Sequence, residues 1–278
     1  MNKVSHSCYL CGSVRLSLRA RIDHQPEGET DYAIAPEHYY REVHQCEDCS
    51  VYNNFHRLLD DDMYAGEYNE SISQSTSLGG IEHRYQKVMS LPPEKSDNRQ
   101  RVKRIEAFYS EHNLSLQDTD VLDVGSGTSV FLGAIKDKVH QSACIDPDPV
   151  AVEHAKSKVG VDLAYHGTLD DFPPEHNFGL ITFNKVLEHV KAPVSMLASI
   201  SRLLNGDGLV YVELPEGERT AKAGKIASRQ EFFVEHYTIY NQDSFRNLCE
   251  KAGFRLMDLQ VITEPSGKMT IYGFLTRA

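Results

Sequence analysis

Hydrophobic positions from residue 99 onward follow two alternating periods. Val102, Ile105 and Phe108 recur at helical spacing, and the apolar run 121–124 that follows is typical of a buried strand. The same succession continues along the chain. It predicts strands at residues 121–124, 143–145, 162–165, 180–183, 209–212, 254–261 and 269–276, and helices at 101–109, 130–138, 149–158, 194–204 and 242–252. Such alternation predicts an α/β domain with a doubly wound, seven-stranded sheet.

The last two predicted strands differ from the others because only a short connection joins them. Residues 264–267 contain Pro265 and Gly267 and are few enough for a hairpin. A crossover between parallel strands needs about a dozen residues or more. We therefore expect the last strand to run antiparallel.

The chain before residue 99 lacks this alternation. Residues 5–56 show little helical periodicity and predict short strands and tight turns. A polar stretch at 71–80 and a break at Pro92 and Pro93 are typical of a connecting segment. The predicted organisation is an N-terminal module at 1–56, a linker or cap at 57–98 and a main domain at 99–278.

The linker is also rich in tyrosine. Tyr64, Tyr68 and Tyr85 all fall within it. They fit either a lid that faces a substrate or side chains that pack on the surface of the main domain.

Composition and charge narrow the classes of function. The chain has 278 residues, of which 40% are hydrophobic, enough for one full core and a small second module. Its formal net charge of -11 argues against a broad nucleic-acid interface, since such binding depends on Lys and Arg. We find no apolar run of the ~20 residues that a membrane helix needs. These features predict a cytoplasmic protein without a nucleic-acid or membrane partner, and they leave its oligomeric state open.

Four cysteines near the N-terminus form two Cys-x-x-Cys pairs. Each pair, Cys8 with Cys11 and Cys46 with Cys49, places two sulfurs on one tight turn. Two such turns supply the four donors of a tetrahedral zinc site, and a full set of thiolates leaves no position for water. We therefore expect a structural Zn²⁺. Three histidines could replace one cysteine as a ligand: His6, His38 and His44. The other two cysteines, Cys144 and Cys249, lie in predicted regular elements and are expected to be buried thiols.

A glycine-containing turn follows the first predicted strand of the main domain. Gly125 and Gly127 let the backbone approach a ligand that a Cβ would obstruct. The dinucleotide fingerprint needs a third Gly or Ala, and Val130 stands at that position. Asp146 ends the next strand, 19 residues after Gly127, where a carboxylate can accept both hydrogen bonds of a ribose diol. The pattern favours an adenosyl ligand over a nicotinamide or flavin.

These motifs resemble those of class I S-adenosylmethionine-dependent methyltransferases over residues 100–278. The resemblance includes the turns at 167–171 and 205–208, the run 183–190 and residues 251–254 before the sixth strand. It implies that the cofactor is bound by Asp123, Gly125, Ser126, Gly127, Asp146, Pro147, Leu169, Asp170 and Asn184. Ser129 departs from the glycine common at its position, which is expected to alter the loop slightly.

A proton acceptor is the further group that methyl transfer needs, because the sulfonium methyl is already activated. Glu235 and His236 follow the fifth strand, on the side of the sheet where ligands bind. This placement, behind a cysteine module, resembles sugar C-methyltransferases that act on nucleotide-linked keto-sugars and use a Tyr-x-Glu-His run for acid/base chemistry. Phe233 replaces the Tyr here, and the family's further C-terminal domain has no counterpart in these residues. The expected acceptor is a sugar or nucleotide-sugar in polysaccharide or natural-product biosynthesis, with C- and O-methylation both open.

Two alternatives remain at this stage. Some O-methyltransferases hold a divalent cation with Glu-x-x-Glu-His and a later His, and Glu188 and His189 match the end of that motif. Lys185 occupies its first Glu position, where a cation would repel magnesium. The other alternative is a non-catalytic binding protein in which the cysteine module docks a partner and the adenosyl pocket is vestigial.

Overall fold

The computed structural model describes residues 6–30, 32, 34–58, 78–173, 175–224 and 226–278. The strands are β1 (Leu16–Ile22), β2 (Arg41–Cys46), β3 (Tyr52–His56), β4 (Asp120–Val124), β5 (Gln141–Asp146), β6 (Leu163–His166), β7 (Phe178–Asn184), β8 (Leu204–Pro215), β9 (Thr238–Ile239), β10 (Phe254–Thr263) and β11 (Met269–Arg277). The α-helices are α1 (Leu78–Met89), α2 (Asp97–Glu111), α3 (Val130–Ile135), α4 (Pro149–His154), α5 (Pro193–Ser199), α6 (Glu218–Lys222) and α7 (Gln242–Lys251).

Seven strands form the main sheet in the order β10-β11-β8-β7-β4-β5-β6. Strands β4 to β8 pair in parallel, whereas β11 runs antiparallel to both β8 and β10. The α/β fold, the seven strands and the antiparallel last strand are therefore confirmed. The centre of this sheet is buried because its strands are apolar on both faces: Val121, Leu122, Ile181, Val210 and Val212 are almost fully buried.

Several predicted elements have different ends in the structure. The helices predicted at 130–138 and 194–204 each finish as a 3₁₀ turn, and the helix predicted at 149–158 continues from α4 as a π-helical turn. Such turns satisfy terminal carbonyl groups where the chain must bend into the next strand. Strand β8 begins at Leu204, earlier than residue 209, because Leu204 pairs with Phe178 of β7 before a register shift that passes over residues 205–208.

Helix α1 occupies the later part of the predicted linker and packs against α3 and α4. Ile81 is buried, and the Tyr85 ring meets the His154 ring edge-on with centroids 5.3 Å apart. A Cβ at Gly133 would collide with Tyr85, so the glycine admits this tyrosine. Tyr85 thus packs on the main domain. Tyr64, Tyr68 and residues 71–77 of the polar stretch lie outside the described residues.

The N-terminal residues form a second, antiparallel sheet in the order β1-β2-β3-β9. Strands β1 to β3 come from the predicted N-terminal module. Strand β9 comes from the main domain and pairs with β3 through Tyr52–Ile239 and Asn53–Thr238. The second sheet is therefore completed by the chain that follows Glu235 and His236.

A bilayer-spanning helix would have to be long and apolar. Within the described ranges, none of the helices meets both conditions.

Candidate functional site

The glycine-containing loop after β4 presents main chain rather than side chains to the space beyond the strand. Gly125 and Gly127 have φ values of 67° and 49°, in the left-handed region that favours glycine. Space is a second restriction, because a Cβ on Gly125 would lie 2.9 Å from Val186 Cγ2. Ser129 also has a positive φ, 56°, and is buried. The loop therefore keeps a left-handed turn at Ser129 without a glycine.

Two buried carboxylates flank this loop. Asp123 Oδ1 accepts hydrogen bonds from Thr182 Oγ1 and Asn184 Nδ2, each at 2.7 Å. Asp146 Oδ2 accepts a hydrogen bond from Gly127 N at 2.8 Å. Burial raises the pKa of each carboxyl group to about 6. Because each carboxylate oxygen has two lone pairs, both side chains can still accept hydrogen bonds from a ligand.

A cavity of about 610 Å³, here called the first cavity, opens beside the loop. This volume lies within the roughly 300–1,000 Å³ typical of ligand sites. Eight of the nine predicted cofactor residues line it: Asp123, Gly125, Ser126, Gly127, Asp146, Pro147, Leu169 and Asn184. Ile81 and Arg84 of α1 add to its wall, a contribution that the sequence motifs did not indicate.

Asp170 is the one predicted cofactor residue that does not line the first cavity. It lies in the 3₁₀ turn Leu169–Asp171, whose Leu169 is buried while Asp170 is exposed. Successive residues of such a tight turn point in different directions, so only one of the pair faces inward. The sequence motif located the turn, but its backbone geometry selects the side chain that reaches the cavity.

A second cavity of about 260 Å³ lies on the other side of Lys185, which lines both cavities. Its wall combines residues from five parts of the chain: Gly28, Thr30, Lys185, Glu188, Pro215, Gln230, Glu231, Phe233, Glu235, His236, Lys268 and Met269. Glu235 and His236, the predicted acid/base pair, are thus placed in one cavity wall with residues of the N-terminal module.

Glu235 and His236 are partly buried, and their surroundings alter both titrations. Burial raises the pKa of Glu235 to about 7 and lowers that of His236 well below its ordinary value. The Nδ1 atom of His236 lies 2.9 Å from Glu231 O, which makes Nδ1 the protonated nitrogen of the neutral ring. The lone pair then resides on Nε2. The His236 side chain therefore has the form that a proton acceptor requires.

A comparison with known protein families identifies the main domain. The model of the methyltransferase domain family matches residues 84–259, well over half of the chain. The chain belongs to this family. The matched region contains the glycine loop, Asp146 and the Glu235–His236 segment. The predicted methyltransferase family and fold are therefore confirmed.

Individual relatives agree with this assignment. The ubiquinone biosynthesis O-methyltransferase of Glaesserella parasuis is 34% identical over 130 residues, which cover 42% of this chain and 53% of the relative. The chain thus spans about half the length of the curated relative that it matches.

Solved structures share the fold at lower identity. The 1,6-didemethyltoxoflavin-N1-methyltransferase of Burkholderia thailandensis, with bound S-adenosylhomocysteine, has a TM-score of 0.54 at 17% identity and covers 86% of this chain and 96% of its own. The magnesium protoporphyrin IX methyltransferase of Synechocystis, also with S-adenosylhomocysteine, has a TM-score of 0.53 at 13% identity, covering 78% and 97%. At these identities the likeness establishes the fold alone.

Glu188 of the methyltransferase lies in a 3₁₀ turn, Leu187–His189, ahead of helix α5. The turn is separate from that helix. The Glu188 carboxylate is fully buried, and neither oxygen has a hydrogen-bond partner among the described residues. Ligand atoms of Glu188, His189 and His236 all lie within 4.8 Å of one another. Burial raises the pKa of Glu188 to about 8.

The side chain of Lys185 is partly buried against the main sheet. Its Nζ donates a hydrogen bond to Thr270 Oγ1 at 3.0 Å and lies 4.0 Å from Glu213 Oε1. Burial lowers the pKa of Lys185. Its backbone φ of 62° is in the left-handed region, which is uncommon for a residue with a long side chain. Lys185 therefore occupies a constrained position between the two cavities.

The four paired cysteines converge in the N-terminal module. Cys8 Sγ lies 3.5 Å from Cys49 Sγ, and Cys11 Sγ lies 3.5 Å from Cys46 Sγ. These separations exceed a disulfide bond and are close to the ~3.8 Å edge of a tetrahedron with metal–sulfur bonds of about 2.3 Å. All four ligand atoms lie within 4.8 Å of one another. His6, His38 and His44 do not belong to this group.

The two remaining cysteines are buried in the main domain. Both Cys144 and Cys249 are free thiols, and burial raises the pKa of each to about 12. They therefore stay protonated at neutral pH, as expected from their positions in β5 and α7.

Proposed function

We propose that the methyltransferase binds S-adenosylmethionine in the first cavity and transfers its methyl group to a small polar acceptor in the second. The observation that carries this proposal is the placement of Lys185 between the two cavities. One cavity has the glycine loop and the buried carboxylates, and the other has Glu235 and His236. We infer an acceptor that is a sugar or a nucleotide-sugar.

The residues of the first cavity fit the cofactor. Asn184 Oδ1 is buried without a hydrogen-bond partner among the described residues, and buried polar atoms are nearly always paired. The cofactor's ammonium group would supply the missing donor. Asp146, which ends β5, would accept hydrogen bonds from the ribose hydroxyls. Gly125 and Gly127 would let the main chain approach the methionine end.

Proton removal from the acceptor is the task of the second cavity. When bound, S-adenosylmethionine supplies a methyl group that its sulfonium has already activated. Transfer of that methyl group to the acceptor would leave the electron pair of the broken carbon–sulfur bond on sulfur and one acceptor proton for this chain to remove. His236 Nε2 would take the proton from the acceptor, and Glu235, in the same cavity wall, is the second acid/base group of the proposal. Acid/base assistance of this kind contributes about 10²- to 10⁴-fold.

The second cavity supports a polar acceptor of modest size. Its volume of about 260 Å³ is smaller than that of the first cavity, and its wall includes carboxylates and lysines. Side chains of this type can pair with several hydroxyl or carbonyl groups. Glu188, Glu235 and Lys268 are among the polar groups of the wall that would serve that recognition. The reaction at carbon and the reaction at oxygen both use the same proton acceptor, so we propose the acceptor class rather than the acceptor atom.

The activity is tested by two measurements on the purified chain. Calorimetry should detect binding of S-adenosylhomocysteine, and a panel of nucleotide-linked keto-sugars should yield a methylated product detected by mass spectrometry. A folded protein that gives no heat with millimolar S-adenosylhomocysteine would contradict cofactor binding and support the vestigial-pocket alternative. Binding without turnover on any sugar would overturn the acceptor class alone.

For the cysteine cluster we propose a structural Zn²⁺ held by Cys8, Cys11, Cys46 and Cys49. The four sulfurs converge, and four thiolates fill a tetrahedral zinc site without leaving a position for water, which supports a structural role. Elemental analysis should find one zinc per chain, and Cys46→Ser should lower that ratio. Cys249→Ser removes a buried thiol outside the cluster and should leave the ratio unchanged. A wild-type protein purified without chelators that contains no zinc would contradict the proposal.

A second candidate is metal-dependent O-methylation. The grouping of Glu188, His189 and His236, with both Glu188 oxygens unpaired among the described residues, favours it. A divalent cation would give that carboxylate the partner that it lacks. The Lys185 ammonium, which donates to Thr270, stands against it. In this case turnover after removal of divalent cations should return with Mg²⁺ or Mn²⁺ and should fail in Glu188→Gln. Cation-independent turnover would exclude this candidate.

A further inference from the structure

A buried ion pair joins the N-terminal module to the segment that carries Glu235 and His236. Arg41 of β2 is fully buried, and its Nη2 lies 3.4 Å from Glu29 Oε1. The Nε atom of Arg41 donates to Tyr39 Oη at 3.0 Å, and that hydroxyl donates to Glu29 Oε2 at 2.5 Å. The three side chains thus form a buried polar network, and Arg41 Nη1 also lies 3.4 Å from Asn54 Oδ1.

This network binds the main chain of residues 232–237 directly. Arg41 Nη1 donates a hydrogen bond to the carbonyl oxygen of Phe232. Glu29 Oε1 accepts one from the amide of Val234 at 2.7 Å. The partners in the second contact are 205 positions apart in sequence. Both contacts end on backbone atoms immediately before Glu235 and His236.

Asn54 and His56 of β3 also form hydrogen bonds with the same segment. The side-chain Nδ2 of Asn54 donates to the carbonyl of Phe233 at 3.1 Å. The main-chain N–H of Asn54 donates to the carbonyl of Tyr237 at 3.0 Å. His56 Nε2 lies 2.8 Å from the carbonyl of Val234. The β3–β9 pairing then continues the contact past Tyr237.

A buried ion pair is weak evidence for stability by itself. Removing two charges from water carries a large desolvation penalty, and apolar residues of similar volume often replace such a pair without loss. A network that fixes one backbone conformation has a different use, since catalytic groups must be held close to their productive geometry. The backbone contacts of Glu29 and Arg41 are of this kind.

We propose that Glu29 and Arg41 are positioning residues, which hold the main chain of 232–237 so that Glu235 and His236 face the second cavity. This inference rests on the proposed function of that cavity. Neither residue needs to touch the acceptor. The neighbours of Glu29, Gly28 and Thr30, line the second cavity, so the same loop that positions the catalytic segment also forms part of the acceptor wall.

The test uses the double variant Glu29→Gln with Arg41→Met in the full-length chain. A single substitution would leave a buried charge without its partner and risk unfolding, whereas the double variant removes both charges. The matched control is Glu42→Gln with Arg21→Met, which removes an exposed ion pair of β1 and β2 in the same sheet. Three quantities are compared: kcat, the affinity for S-adenosylhomocysteine, and amide hydrogen exchange of residues 232–237.

We expect the double variant to bind S-adenosylhomocysteine like the wild type while kcat falls by about 100-fold, because small misplacements of catalytic groups have effects of that size. Exchange of the 232–237 amides should accelerate, and the control pair should change none of the three quantities. A folded double variant with wild-type kcat and wild-type exchange would overturn the proposal, as would an equal loss of cofactor affinity and turnover. If the wild type shows no turnover, the proposed function fails. Hydrogen exchange then still tests the positioning role, because accelerated exchange of the 232–237 amides in the double variant supports it and unchanged exchange contradicts it.

Discussion

The two cavities of this methyltransferase are built in different ways. The first takes its polar groups from the carboxyl ends of adjacent strands of one sheet, such as Asp123 on β4 and Asp146 on β5. The second combines Gly28 and Thr30 of the N-terminal module with Lys185 and the segment that ends at His236. Under the proposed function, cofactor binding is therefore a property of the main domain together with α1, whereas acceptor binding and proton transfer need both sheets in contact.

The largest expected effect is the loss of kcat on substitution of His236, because this residue is the proposed proton acceptor. His236 lines only the second cavity. His236→Ala is expected to lower kcat by about 10²- to 10⁴-fold, the range for loss of a general base. Affinity for S-adenosylhomocysteine, measured by calorimetry, should not change. His140→Ala, on the exposed end of the sheet, is the control. An unaltered rate in His236→Ala would remove this residue from the mechanism.

The second largest effect is expected from removal of the proposed zinc, which should reduce turnover much more than cofactor affinity. Among the described residues of the N-terminal module none lines the first cavity, while Gly28 and Thr30 line the second. Chelation, or Cys46→Ser, is expected to reduce turnover by about 100-fold through the displaced catalytic segment. Affinity for S-adenosylhomocysteine should fall far less. Equal losses of turnover and affinity would show that the module supports the whole fold rather than the second cavity.

Asp146 should affect the first cavity alone. A hydrogen bond to a charged group contributes about 1.5–3 kcal/mol, so Asp146→Asn is expected to weaken S-adenosylhomocysteine binding by about 10- to 100-fold. Asp170→Asn is the matched control, because Asp170 is exposed and outside the cavity. Equal losses in the two variants, measured by calorimetry, would mean that Asp170 turns inward when the cofactor binds.

Acidic pH should weaken cofactor binding by a smaller factor. Burial raises the pKa of Asp146 to about 6, and the ionised form accepts the ribose hydrogen bonds. At pH 5 only about a tenth of such a group is ionised, so affinity should be about tenfold lower than at pH 7. Asp146→Asn should flatten this dependence in calorimetric titrations. A wild-type affinity that rises towards pH 5 would contradict the assignment.

The same shift has the opposite consequence for the stability of the unliganded chain. The folded state keeps protons on Asp123 and Asp146 that the unfolded state releases between pH 3.8 and about 6. The contribution of these groups to stability therefore falls as pH rises through that window. Cofactor binding and unliganded stability should respond to pH in opposite directions over this range.

The first cavity could be predicted from the sequence because its determinants are local. A strand, a turn with Gly125 and Gly127, and an acid at the end of the next strand follow from spacing and from the geometry of parallel sheets. Asp170 shows the limit of that reasoning. The motif locates the turn, yet the direction of each side chain depends on a backbone conformation that spacing does not specify.

The second cavity could be predicted only in part. The resemblance locates Glu235 and His236, but Glu29, which accepts a hydrogen bond from the neighbouring Val234 amide, is 205 positions away from it and carries no motif. Arg41 in a short strand gives no sign that it is buried, since arginine is usually exposed. In the sequence Lys185 argues only against a metal ion, because its place in the walls of both cavities depends on β7 lying beside β8.

The most direct test of this account is a crystal structure with S-adenosylhomocysteine and a nucleotide-linked keto-sugar. We predict the cofactor in the first cavity with its sulfur directed past Lys185, and the sugar in the second cavity beside His236. The reacting atom of the sugar should lie in line with the position of the transferred methyl group. A sugar bound elsewhere, or a second cavity closed off from the sulfur by protein, would contradict the account.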